Sequence, residues 1–108
     1  MFVEVSTTAS LPCTGPSIVP KPGPTESTVT WYREEGFRET LIWRKVTNLP
    51  FEYGQNYSSG KYSYDYGREL TIADVTIDDE GVYTCKVSGK WLNYISTISL
   101  TTIGKLFL

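Results

Sequence analysis

Histidine is absent from this 108-residue chain. The commonest general base and metal ligand is therefore missing. No nucleophile motif replaces it, so the usual catalytic constellations are not present. Methionine occurs once and cysteine twice. No apolar run approaches ~20 residues, so this segment does not itself insert in a membrane. Neither sign of charge dominates. The formal charge is −2 with no long like-charge run, which argues against a nucleic-acid partner, since that needs a basic face. Nothing sustains a helical period. The expectations at this level are no enzyme, no cofactor, no metal and no nucleic acid. Two cysteines in a chain this size can be a disulfide, a metal half-site or an accident, and their neighbours have to decide.

What is present is short runs of period-two alternation, separated by Gly, Pro, Asn and Asp clusters. That pattern predicts an all-β sandwich or barrel. One strand runs through Val3 and Val5. A second carries Ala9, Leu11 and Cys13 on one parity, and a third carries Val29, Trp31 and Arg33. A fourth covers Thr40 to Arg44. Tyr62 and Tyr64 share a face, Leu70, Ile72 and Val75 follow, and Tyr83, Cys85 and Val87 point one way on the next strand. Ile98 and Leu100 do so on the last. Thr14 to Ser27 holds four prolines, which fix φ and remove donors, so it reads as a stiff surface loop. Asp74 to Gly81 reads as a polar corner anchored by Val75 and Ile77. Ser88 to Tyr94 reads as the connection between the last two strands. Asp74, Asp78, Asp79 and Glu80 lack the spacing of an EF-hand, and a solvated corner is the better reading.

Cys13, Trp31 and Cys85, with Asp79-x-Gly81-x-Tyr83-x-Cys85 around the second cysteine, resemble the variable-type (V-set) immunoglobulin domain over nearly the whole chain. The long interval between the cysteines fits the V type, which has extra strands C′ and C″. The resemblance implies two antiparallel sheets, ABED and GFCC′C″, joined by one inter-sheet disulfide, Cys13–Cys85. Such a cross-link contributes about 4 kcal/mol in the chain-entropy model. Trp31 would fill the space beside it. Tyr83 matches the tyrosine corner, its hydroxyl bonded to backbone. Asp79 is expected to pair with Lys61, with Arg33 as a second candidate, and Gly81 to give backbone freedom at the corner. Residues 1–103 are expected to form the domain and 104–108 a linker or the start of a following segment. Met1 precedes a strand-like run with no basic leader region and is read as an added start.

V-set partners dock on the loops at one end or on the outer face of the GFCC′ sheet. If Trp31 and Cys85 point inward, then Thr30, Tyr32 and Glu34 point out on strand C, and Thr84, Lys86 and Ser88 do so on strand F. Trp43 matches an interface aromatic and Trp91 lies in the loop between strands F and G. With Tyr94 and Tyr32 they would make an aromatic patch rimmed by Glu34, Arg44, Lys86, Ser88 and Lys90, which is the composition of a protein-binding hot spot. The alternative is that Trp43 folds over the sheet edge and Trp91 caps the sandwich. Glu34 and Lys86, on adjacent strands, could cross-pair with a two-fold partner or be satisfied within one chain. Asn56-Tyr57-Ser58 is a glycosylation sequon, a weak sign of a secreted glycoprotein. Strand G lacks the Phe/Trp-Gly-x-Gly bulge of rearranging antigen receptors.

The resemblance implies an extracellular recognition domain of an immune-type or adhesion receptor. It would bind a protein partner, another immunoglobulin-superfamily domain or itself as a homodimer, through the GFCC′ face. Two alternatives stand beside it. One is a secreted innate-immune protein that binds carbohydrate or microbial surfaces through the proline-rich loop and the tip loops, with Tyr57, Trp91 and Tyr94 as stacking faces. The other is a structural spacer with no ligand.

Overall fold

Side chains alternate along each strand, so one parity of every strand shares an interior. The computed structural model describes residues 1–13, 27–54, 57, 60–64, 69–89 and 93–104, and it arranges them as two facing sheets. The strands are β1 (Phe2–Glu4), β2 (Ala9–Leu11), β3 (Ser27–Glu35), β4 (Arg38–Val46), β5 (Glu52–Tyr53), β6 (Tyr62–Tyr64), β7 (Leu70–Ile72), β8 (Gly81–Gly89) and β9 (Asn93–Ile103). A 3-10 helix, Ile77–Asp79, precedes β8. One sheet has the order β1-β9-β8-β3-β4-β5 and the other β2-β7-β6. The proline-bearing segment 14–26 lies outside the described residues.

Residues of one parity fill the space between the sheets. Val29 and Trp31 of β3 and Tyr83, Cys85 and Val87 of β8 face Ala9, Leu11, Leu70 and Ile72 from the second sheet, and all are buried. Burying each large apolar side chain is worth about 1.5–3 kcal/mol. Trp31 lies directly opposite Cys85 in the ladder. Cys85 reaches across to Cys13, with Cα atoms 5.8 Å apart and a sequence separation of 72. That separation is within the span a disulfide bridges. The covalent pin and its tryptophan therefore sit at the centre of the interior, as alternation predicted.

The first strand departs from the expected ABED grouping. β1 runs parallel to β9, with Phe2 opposite Thr101, and so extends the larger sheet. The chain changes sheets just after it. The Val5 N–H donates to Ile103 O at 3.0 Å, whereas the next N–H, that of Ser6, donates to Val75 O at 2.8 Å. Ser6 takes a φ of +68° to make this step. A three-residue strand that buries little can serve either sheet, and backbone pairing decides.

β4 carries the second departure. Thr30 pairs with Arg44 and Trp31 with Trp43, but Tyr32 pairs with Leu41, so Ile42 is an extra residue. A bulge of this kind places two consecutive residues on one side of the sheet. Ile42 and Trp43 are both buried as a result, at 4% and 2% exposure. The Trp43 ring packs edge-on to Phe51 at 5.5 Å. Beyond it Phe51, Tyr53 and Tyr57 follow ring on ring along the sheet edge.

Candidate partner-binding face

The polar corner before β8 is a structural device. Asp79 is buried, and its Oδ2 accepts from Lys61 Nζ at 2.6 Å and from the Thr76 N–H at 2.8 Å. The Tyr83 hydroxyl donates to the Asp79 carbonyl at 2.6 Å. Burial pushes the Tyr83 phenol above its ordinary range, with a smaller opposing pull from the Arg33 charge. Arg33, the second candidate for Asp79, instead donates to the carbonyls of Asp78 and Glu80 and lies 5.5 Å over the Tyr83 ring. Gly81 opens β8 at φ +154°. Val75 anchors the corner from the interior. Ile77 does not, being 69% exposed at the start of the 3-10 helix. Glu80 accepts from the Thr102 N–H at 2.8 Å, which ties the corner to β9. Asp79, Lys61, Tyr83 and Glu80 are thus engaged in holding the turn.

The outer face of the larger sheet is different. Register places a continuous row across five strands: Ile95 on β9 opposite Lys86 on β8, Lys86 opposite Thr30, Thr30 opposite Arg44, and Arg44 opposite Glu52. The next row holds Thr97, Thr84, Tyr32 and Leu41. Directly opposite residues on one face are near enough to interact. Lys86 Nζ lies 4.7 Å over the Tyr32 ring and bonds Glu39 Oε2 at 3.0 Å. Arg44 bonds Glu52 Oε2 at 3.1 Å and the Tyr32 hydroxyl at 3.3 Å. The Tyr32 bond comes first and Glu52 adds to it; against some burial, they raise the Arg44 pKa above its already high ordinary value. An open groove of about 620 Å³ runs over this network, floored by Thr28, Thr30 and Tyr32 and walled by Lys86, Arg44 and Ile95.

Both ion pairs are partly solvated, with side-chain exposures of 36% to 61%. Exposed pairs of this kind are worth about 0–1 kcal/mol each. A partner can rearrange them at little cost. They also leave the centre of the face with no excess of either charge.

Several expected site residues are placed otherwise than the sequence suggested. Trp43 is not an interface aromatic, because the bulge at Ile42 turns it into the core. Tyr94 belongs to β9 rather than to a loop, and its hydroxyl donates to the Cys13 carbonyl at 3.2 Å. It packs against the core. Lys86 pairs with Glu39 of its own chain rather than with Glu34, which is exposed. Tyr57 donates its hydroxyl to the Tyr62 carbonyl at 2.9 Å, and its ring lies 4.3 Å from that of Tyr53 at the sheet edge, away from the groove. Tyr32, Arg44, Lys86 and Ser88 do come together on the outer face, and Tyr94, though its hydroxyl is held by Cys13, lines the same groove. Lys90, Trp91 and Asn56 lie outside the described residues. Ile95, 67% exposed beside Lys86, was missed, as were Glu39 and Glu52. The inward parity of Ile98 and Leu100, carried back along the same strand, puts Ile95 outside.

A family model described as the immunoglobulin V-set domain matches residues 1–102. No curated protein matches the sequence at a significant level. Among solved structures, the extracellular domain of the voltage-gated sodium channel beta4 subunit superposes with a TM-score of 0.72 at 18% identity, covering 98% of this chain and 91% of that one. That protein forms parallel homodimers that explain its role in cell–cell adhesion. Murine CRIg gives a TM-score of 0.72 at 16% identity, over 98% of this chain and 92% of that one. Murine CEACAM1b gives 0.71 at 20% identity over 98% of this chain, which spans 51% of that molecule. At these identities the likeness establishes the fold.

Proposed function

The chain belongs to the immunoglobulin V-set family, and from that premise we propose that it is the extracellular recognition domain of an adhesion- or immune-type receptor. It binds a protein, a second copy of itself, through the outer face of β9, β8, β3 and β4. The observation that carries this reading is the row Ile95–Lys86–Thr30–Arg44 with its groove. It is a partly apolar surface on a sheet face, centred on Tyr32 and rimmed by ion pairs. Apolar and aromatic centres within polar rims are the anatomy of protein interfaces. A face whose cations are already paired can meet an identical face without like-charge repulsion, which is what a two-fold contact demands. The Cys13–Cys85 disulfide fits an oxidising, extracellular compartment. The homodimeric adhesion of the beta4 subunit, a structural neighbour, supports the same choice of partner.

Sedimentation velocity over a concentration series tests the proposal. The wild type is expected to show a monomer–dimer equilibrium, and Ile95→Arg, which places a charge beside Lys86 on this face, to weaken it at least about 10-fold. A wild type that stays monomeric at every concentration refutes self-recognition. An unchanged equilibrium in the variant removes this face from it.

A further inference from the structure

Phe37 is fully exposed. It stands at the tip of the β3–β4 hairpin, and it makes no ring contact among the described residues. The tip is well defined. Glu35 and Arg38 still pair, so the connection is only Gly36 and Phe37. Gly36 takes a φ of +68°, the conformation that two-residue hairpins with glycine in first place require. The ring is thus presented on a short, stiff support, with little conformational freedom to lose on binding. Phe37 lies two residues before Glu39, whose carboxylate bonds Lys86 on the outer face. The tip therefore rises at the rim of the surface already described.

We propose that Phe37 of one copy is the anchor received by the groove of a second copy, and that the second copy's Phe37 enters the first one's groove in return. This rests on the reading that the outer face binds a second copy. Strand geometry sets the reach. Phe37 lies seven positions beyond Thr30, which at about 3.3 Å per step puts the tip roughly 20 Å from the groove's central row. Two copies packed face to face about a two-fold axis midway between tip and groove bring both pairs together at once. The groove, about 620 Å³, has room for the ring. The hairpin carries Glu34, Glu35 and Glu39 against the single cation Arg38, while the cations of the groove, Lys86 and Arg44, are already paired with Glu39 and Glu52. The same three carboxylates make the tip a poor probe for an anionic bilayer.

Two single variants and their mixture test this. Phe37→Ala removes the tip and leaves the groove; Ile95→Arg blocks the groove and leaves the tip. Both positions are exposed, so both variants should melt with the wild type. Each alone is expected to weaken dimerisation roughly 10- to 100-fold, the range of an interface hot spot. Mixed in equal amounts they are expected to associate at least about ten-fold more tightly than either alone, because a heterodimer regains one of the two tip-in-groove contacts. If Phe37→Ala dimerises like the wild type while Ile95→Arg does not, the face stands and the tip is overturned. If both weaken but the mixture gains nothing, tip-in-groove docking is overturned. If neither changes association, or the wild type does not associate, the reading of the face falls and takes this inference with it.

Discussion

Trp43→Ala separates a core residue from a surface one. The sequence allowed Trp43 either role, and the structure puts it inside, 2% exposed, opposite Trp31 and edge-on to Phe51. Truncating a buried tryptophan removes its transfer free energy and leaves a cavity, together about 3–5 kcal/mol. The lost edge-to-face contact accounts for roughly 0.5–1.5 kcal/mol beyond simple area. Near 100 residues, each kcal/mol lowers the melting temperature by about 4–8 °C, so the variant should melt roughly 12–40 °C below the wild type. Phe37→Ala, at a fully exposed site, should change stability by no more than about 0.5 kcal/mol. Thermal melts by far-UV circular dichroism, with urea unfolding to obtain the free energies, measure both. A Trp43→Ala protein melting within about 3 °C of the wild type would refute the inward bulge and return Trp43 to the surface.

Two further substitutions probe the corner and the sheet edge. Tyr83→Phe removes the bond to the Asp79 carbonyl and should cost about 1–3 kcal/mol at neutral pH. Because burial raises the Tyr83 phenol in the folded chain, the unfolded chain gives up that proton first. Stability is therefore complete below the ordinary phenol pKa of about 10 and falls as pH rises past it, and the phenylalanine variant should fall less steeply over roughly pH 9 to 11. Equal slopes in urea unfolding would contradict this. Gly54→Ala would set a Cβ 1.7 Å from the Leu41 carbonyl oxygen, where no side chain fits. The edge strand β5 must then detach, at a cost of about 1–3 kcal/mol. A wild-type melting curve and an unchanged near-UV spectrum from the Tyr53–Tyr57 ring pair would show that the close approach does not exist.

Much of this fold could be read from parity. Cys13, Trp31, Tyr83 and Cys85 fall on inward positions of strands whose alternation is unbroken, so simple counting places them. Parity fails where the count slips. Ile42 adds one residue to β4, and a one-residue shift reverses every following side chain; nothing in Leu41-Ile42-Trp43 marks the insertion. Tyr94 shows a different failure. Its inward direction follows from Ile98 and Leu100, but glycine and asparagine in 88–94 suggested a loop, whereas β9 already begins at Asn93. The parallel pairing of β1 depends on backbone bonds made by Val5 and Ser6, to which side-chain pattern is blind. The ion pairs Lys86–Glu39 and Arg44–Glu52 join residues far apart in sequence or across a turn, and only register brings them together.

Amide shifts of isotopically labelled protein, followed by NMR as concentration rises, test the claim that the outer face is the recognition surface. The account predicts that Thr30, Tyr32, Lys86 and Ile95 move with concentration while Ser10, Ser63 and Thr71 on the opposite sheet hold still. Shifts confined to that opposite sheet, or none anywhere, would contradict it.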